Sequence, residues 1–282
     1  MTVSIAVLGA GGKMGTRVTR SLLGDEEFDV RHVEAGDAGR ARLRESGVDA
    51  VALREGLDGA QIVLFAVPDR IVRQVAAEVV PLLDPGASML FLDPAACAAD
   101  RIPHRDDVNC YVMHPTHPPL YSLLAENDPS ARRDFWGGGD AQQAIVFATA
   151  WGDDGAGADH VERVATRIFR PISRSHRITV DQMAMLEPAL TETLTNGCVA
   201  VIREGMERVI AAGVPEAATR DFLMGHLQIG IAILFEELDW RLSDGAQQAL
   251  DASRSQIFRE DWYRVLEPEA IAASVRAITG GD

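Results

Sequence analysis

Lysine is almost absent from this chain of 282 residues: Lys13 is the sole one, and every other fixed cation is arginine. Positive charge as a whole is scarce, with 27 Lys and Arg against 42 Asp and Glu and a formal net charge of -15. That balance excludes nucleic acid and anionic membrane surfaces as partners, while an anionic substrate would need local arginines to overcome the global field. The cysteines, Cys97, Cys110 and Cys198, are far apart and have no zinc-like spacing, so they read as buried thiols in a reducing cytoplasm. Long apolar runs are also missing. Phe222–Phe235, with 14 residues, includes His226 and Gln228 and is too short and polar to span a bilayer. No basic region precedes a hydrophobic run at the N-terminus, where Thr2 to Leu8 leads straight into glycines; this reads as a strand, not a signal peptide. The expected location is cytoplasmic.

What is present is a division into two patterns. The length favours two domains. Short β-rich runs alternate with helical spacing through the first half, the signature of a parallel sheet wound with helices. Expected strands are Val3–Leu8, Asp29–Glu34, Gln61–Val67, Ser88–Asp93, Cys110–Met113 and Ala144–Ala150. Expected helices are Lys13–Leu23, Ala38–Glu45, Arg70–Leu83 and Val161–Phe169, with Gly152–Ala158 as a turn before the last. From about Ile178 the strand signals cease, and Leu186, Leu190, Leu194, Val201 and Val209 fall near one helical stripe. The fold class is therefore α/β: an N-terminal Rossmann doubly wound parallel sheet (1–175) followed by an all-α C-terminal domain (176–282). The change of period alone sets that boundary.

Gly9-Ala10-Gly11-Gly12-Lys13-Met14-Gly15 lies between the first strand and first helix. Glycines there let backbone N–H groups approach a pyrophosphate at the helix N-terminus. The loop departs from G-x-G-x-x-G, since Met14 stands where glycine is required and Gly15 follows one residue later. Glu34, at the end of the second strand, suits the adenosine ribose hydroxyls and repels a 2′-phosphate, which favours NAD over NADP. Arg31, Arg40 and Arg42 nearby leave NADP open. Val67-Pro68-Asp69 closes the Gln61–Val67 strand at the sheet's carboxyl edge, where ligands of such folds bind. Lys13 either reaches the phosphates or is solvated.

Met113-His114-Pro115-Thr116-His117-Pro118-Pro119 follows a strand that faces the same crevice. Its prolines stiffen the backbone around two imidazoles, and histidine is the side chain best suited to moving a proton near neutral pH. His114 and His117 are the candidate bases for oxidising a hydroxyl, with loop geometry as the alternative role for each. Asp181, Glu187 and Glu192 open the helical domain, and Asp181 and Glu192 would lie about 20° apart on an α-helix. Pro188 should kink that helix or start a new one. Glu187 and Glu192 could hold Mg²⁺ through oxygen ligands, or could be surface acids. His226 shares a stripe with Phe222, Ile229 and Ile233 and is either a core residue or a substrate contact. Arg174, His176 and Arg177, at the domain junction, are candidates for receiving a substrate carboxylate.

The segments GAGGKMG, AVPD, MHPTHPPL, RRDFWGG, SRSHRIT, MLEPALTET and DFLMGHLQIGIAILF span residues 9 to 235. Together they resemble the D-apionate oxidoisomerases, Rossmann proteins with a phosphogluconate-dehydrogenase-like C-terminal domain. The glycine loop is shared widely; the histidine–proline and SRSHRIT to MLEPALTET segments are more specific. The resemblance implies NAD-dependent oxidation of the C2 hydroxyl of a branched sugar acid, then a ketol rearrangement to 3-oxo-isoapionate. That second step resembles ketol-acid reductoisomerase, which uses Mg²⁺ as a Lewis acid. It also implies a homodimer, in keeping with the long apolar helix. Related dehydrogenases carry a catalytic lysine on the first helix of the second domain, and this sequence has none there, which moves the proton chemistry to the histidine loop. A hydroxyacid dehydrogenase without isomerisation, a methyltransferase with an adenosyl cofactor, and a non-catalytic NAD-binding redox sensor are the alternatives on the same fold.

Overall fold

The apolar runs of the first half become the strands of one sheet in the computed structural model, which describes residues 2–121 and 133–280. The elements run β1 (Val3–Leu8), α1 (Lys13–Leu22), β2 (Phe28–Val33), α2 (Asp37–Glu45), α3 (Leu53–Leu57), β3 (Ile62–Phe65), α4 (Asp69–Val79), β4 (Ser88–Phe91) and α5 (Ala95–Ala98). There follow β5 (Asn109–Pro115), β6 (Gln143–Trp151), α6 (Ala156–Ile168), β7 (Ile172–Arg177) and α7 (Val180–Ala184). A π-helical stretch, Met185–Thr195, leads into α8 (Asn196–Ala211), α9 (Glu216–Leu234), α10 (Asp244–Ile257) and α11 (Pro268–Ile278).

The sheet order is β2-β1-β3-β4-β5-β6-β7, and every neighbouring pair is parallel except β5 with β6. Because β2 and β3 flank β1 on opposite sides, the crevice of this doubly wound sheet opens at the carboxyl end of β1. All residues of β3 and β4 are buried, as expected of strands covered on both faces. Val18 and Leu22 of α1 and Val161, Val164 and Ile168 of α6 pack on Ile5, Val7, Leu64 and Leu90. Val72, Ala76 and Val79 of α4 cover the opposite face at Val63, Phe65, Met89 and Phe91. Phe65 and Phe91, partners in the β3–β4 register, stack with centroids 4.4 Å apart; such a pair contributes about 0.5–1.5 kcal/mol beyond its burial.

The chain divides into two compact units, Met1–Leu186 with Ala272–Asp282, and Glu187–Ile271. The division thus falls after Leu186 instead of near residue 175. The reason is β7, a strand whose sequence, ISRSHR, is too polar to register as one, yet which pairs with β6 and extends the sheet. Three local expectations also shift. Helix α6 begins at Ala156, inside the stretch read as a turn; α4 ends at Val79 and gives way to a 3-10 turn at Val80–Leu82 that contains Pro81; and β2 ends at Val33, one residue before Glu34. In the Glu187–Ile271 unit, α8 buries none of its residues, and Leu190, Val201 and Val209 of the expected stripe are exposed. Among the described residues, no helix is long and apolar enough to cross a membrane.

Candidate functional site

The glycine loop turns at the end of β1. Gly9 has φ +74°, which a side chain would strain, and its added β-carbon would lie 2.8 Å from the Ala66 carbonyl oxygen. A β-carbon on Gly15 would strike the backbone of Gly9 and Ala10, so both glycines are needed for the loop to sit against α1. Gly12 immediately precedes the first turn of α1, where unpaired N–H groups favour a pyrophosphate. Met14, standing at the departure from the usual fingerprint, is partly buried against the Rossmann core.

Glu34 sits beside this loop. Its Oε2 accepts the Gly11 N–H at 2.9 Å and its Oε1 the Gly36 N–H at 2.8 Å. Arg40 and Arg42 turn their Nε atoms onto backbone carbonyls, of Glu34 at 2.8 Å and Gly11 at 2.7 Å. The acid is therefore built into the glycine loop and is not a solvated strand end. Val67 follows β3, Pro68 precedes α4, and Asp69 is that helix's first residue, so the three line the crevice edge beside Gly9. Lys13 is exposed, and its Nζ rests 3.2 Å from the centroid of the Trp136 ring.

His114 belongs to β5 and not to a loop after it, because antiparallel pairing with β6 continues through Pro115. Its Nδ1 lies 2.8 Å from the Leu92 carbonyl oxygen, just past β4. A carbonyl only accepts, so Nδ1–H donates and the neutral ring's basic nitrogen is Nε2. His117 has φ +60°, an uncommon conformation for a residue with a side chain. Its ring stands perpendicular to that of His114 at 6.2 Å and to Trp136 at 5.3 Å. Its Nδ1 lies 3.2 Å from the Trp136 carbonyl oxygen.

Asp93 completes this corner. One carboxylate oxygen and a ring nitrogen of His114 lie within 4.8 Å of each other. Asp93 Oδ1 also accepts the Ala95 N–H at 2.7 Å. The sequence reading missed Asp93, although Asp93-Pro94, like Pro68-Asp69 in the reverse order, sets an acid beside a proline at the end of an expected strand. It also missed Trp136, whose contacts join segments remote in sequence.

His114 and His176 both pair with Val146, so the three side chains lie in one row on one sheet face. Arg174, two residues before His176, is exposed on the same edge strand. Arg177 is already engaged: its guanidinium lies 2.6 Å from Glu162 and 2.5 Å from Asp159, which withdraws it from carboxylate recognition. His226 is exposed on α9, not in a core; it stacks on Phe222 at 4.0 Å, and its Nδ1 lies 2.8 Å from the Phe222 carbonyl oxygen.

The Met185–Thr195 stretch contains Pro188 and is π-helical, so the α-helical face expected for Asp181 and Glu192 does not form. Instead, i→i+5 bonding places residues five apart above one another. Glu187 and Glu192, which an α-helix would set about 140° apart, are so brought toward one face of this stretch.

The comparisons with known proteins agree with this geometry. Residues 2–121 match the acetohydroxy acid isomeroreductase NADPH-binding domain, and residues 125–279 the phosphogluconate dehydrogenase (decarboxylating) C-terminal family. A protein named D-apionate oxidoisomerase from Rhizobium rhizogenes is 45% identical over 280 residues, covering 99% of this chain and 100% of its own. The chain belongs to the D-apionate oxidoisomerase family. Another oxidoisomerase of that name, from Cupriavidus necator, is 43% identical over the same shares. A crystal structure of a semialdehyde dehydrogenase NAD-binding protein from Cupriavidus necator, in complex with calcium and NAD, superposes with a TM-score of 0.95 at 43% identity, covering 99% of this chain and 100% of that one. An NADH-preferring ketol-acid reductoisomerase from an uncultured archean shares the fold, with a TM-score of 0.67 at 16% identity over 98% and 81% of the two chains.

Proposed function

We propose that this chain is a cytoplasmic NAD-dependent oxidoisomerase that oxidises D-apionate at C2 and rearranges the product to 3-oxo-isoapionate. The observation that carries the reading is full-length identity of 45% to a protein named for that activity. NAD supplies the hydride acceptor, held by Gly9, Gly11, Gly12, Lys13, Met14 and Gly15, with Val67, Pro68 and Asp69 at the crevice edge and Glu34 on the adenosine ribose. A carboxylate beside the glycine loop opposes a 2′-phosphate, which supports NAD over NADP. His114 takes the C2 hydroxyl proton on Nε2, its ring oriented by the Leu92 carbonyl. Arg174 and His176 receive the substrate carboxylate, and His226 is assigned to substrate contact on the helical unit.

A divalent ion, Mg²⁺ by the chemistry of the rearrangement, would polarise the new ketone. Glu187 and Glu192 are assigned as its oxygen ligands, supported by their common face on the π-helical stretch. In the second step a carbon group leaves the neighbouring carbinol carbon with its bonding pair and joins the ketone carbon; the carbinol becomes the new ketone, and its proton passes to the former ketone oxygen, which becomes a hydroxyl.

The nearness of Asp93 to His114 favours a second reading, in which His114 Nε2 is itself a metal ligand and His117 is the base. An imidazole that donates Nδ1–H to a carbonyl has the orientation of a ligating histidine as well. The two readings part on His114→Asn: loss of turnover with intact divalent-ion affinity supports the base, and loss of ion affinity supports the ligand.

A homodimer is also proposed, supported by exposed Val199, Val201, Ile202 and Val209 on α8 and Phe222, Met224, Ile229 and Leu234 on α9. Sedimentation at micromolar concentration tests it, and a monomer would refute it. For the activity itself, D-apionate and NAD should give NADH at 340 nm and a rearranged keto acid by NMR. An unrearranged 2-oxo acid as the sole product would leave a plain dehydrogenase; no NADH would remove the activity altogether.

A further inference from the structure

Trp136 lies outside every role assigned above, yet three residues of the cofactor and histidine segments converge on it. The sole lysine of the chain places its ammonium 3.2 Å from the indole centroid. The ring of His117 meets the indole edge-on at 5.3 Å, and His117 Nδ1 lies 3.2 Å from the Trp136 carbonyl oxygen. Arg17, one turn after Lys13 on α1, donates from Nη1 to that same carbonyl at 2.7 Å. Arg17 is itself held, with its guanidinium 4.6 Å above the Phe169 ring. The turn carrying the indole is closed by Asp134, whose Oδ2 accepts the Gly139 N–H at 2.9 Å. The backbone at Trp136 is thus anchored to the first helix of the Rossmann unit, and its side chain reaches both the glycine loop and the histidine segment.

An ammonium resting on an indole face keeps its charge while giving up freedom of the flexible lysine stem. At the start of α1 this preorganises the cation for an anion at the same helix end. In a chain of net charge -15, a mobile lysine would otherwise be drawn to surface acids.

We propose that Trp136 is a positioning residue: its indole holds Lys13 for the cofactor pyrophosphate, and its edge and carbonyl hold His117 at the reacting centre. The inference rests on the NAD-dependent reading and deepens it by coupling cofactor binding to the histidine segment.

A double-mutant cycle on the full-length protein tests it, with NADH binding followed by fluorescence for the wild type, Trp136→Ala, Lys13→Met and the double variant. Trp136→Ala should weaken NADH about tenfold and Trp136→Phe less than about threefold, since a phenyl face still attracts the ammonium. The double variant should bind no more weakly than the worse single variant, because the pair acts as a unit. With D-apionate, Trp136→Ala should also lower kcat about tenfold while the substrate KM changes less than about twofold, as expected when a base is mispositioned. Losses that multiply in the double variant, wild-type NADH affinity in Trp136→Ala or Lys13→Met, or an unchanged kcat would overturn the proposal. If the wild type turns over no D-apionate, the substrate assignment fails, and the NADH cycle still decides the role of Trp136.

Discussion

Gly39 and Glu34 contend for one volume: a β-carbon on Gly39 of α2 would lie 2.6 Å from Glu34 Oε2. The absence of a side chain at Gly39 is what lets the Glu34 carboxylate reach the Gly11 N–H. The atoms a methyl group would displace are the far end of a flexible side chain, and alanine is favoured over glycine inside a helix by roughly 1 kcal/mol. Gly39→Ala should therefore raise the KM for NAD about fivefold or more through the ribose site, with an unchanged or higher melting temperature. Steady-state kinetics beside thermal melts would show it, and a wild-type KM would remove Glu34 from the ribose site.

His114 carries the second prediction. As general base it should contribute about 10²–10⁴ to kcat, so His114→Asn should lose that factor while NAD affinity stays within about threefold. Stopped-flow NADH formation across pH 6 to 9 measures it; a wild-type rate at every pH would return this imidazole to a purely structural role.

As proposed ion ligands, Glu187 and Glu192 should bear on the rearrangement and not on hydride transfer. Glu187→Ala and Glu192→Ala should still form NADH in a first turnover, with the unrearranged 2-oxo acid accumulating. EDTA treatment should do the same. Rearranged product at the wild-type rate, identified by NMR after a single turnover, would sink the metal assignment.

Acid stability follows from three depressed carboxylates. The Arg167 guanidinium holds Asp25 below the usual range, Arg105 does the same for Asp107, and the backbone N–H groups of Gly155 and Gly157 do so for Asp153. A carboxyl whose folded pKa is lowered adds stability above its unfolded pKa and loses it as pH falls through the folded value. The melting temperature should hold from neutrality down to about pH 5 and fall below about pH 4. In Asp153→Asn the neutral-pH value should be lower and the acid slope shallower; an unchanged slope would exclude Asp153 as a contributor.

The sequence by itself determined the Rossmann half. The strands at Val3–Leu8 and Ser88–Phe91, the glycine loop and the first helix announce themselves through local periodicity and through glycines whose backbone geometry no other residue tolerates. His114 stands out as a candidate base through residue type and the absence of lysine beyond residue 13. Tertiary structure decided what local pattern cannot encode. The polar segment Ile172–Arg177 becomes a strand only because β6 supplies its hydrogen-bond partners. Met185–Thr195 departs from the α-helical period around Pro188, which changes the acids that share a face. The base nitrogen of His114 is fixed by a carbonyl 22 residues away, and Trp136 reaches Arg17 across 119 residues. Periodicity reports which face of an element is buried, whereas a hydrogen bond or a ring contact across the fold depends on where two distant segments close upon each other.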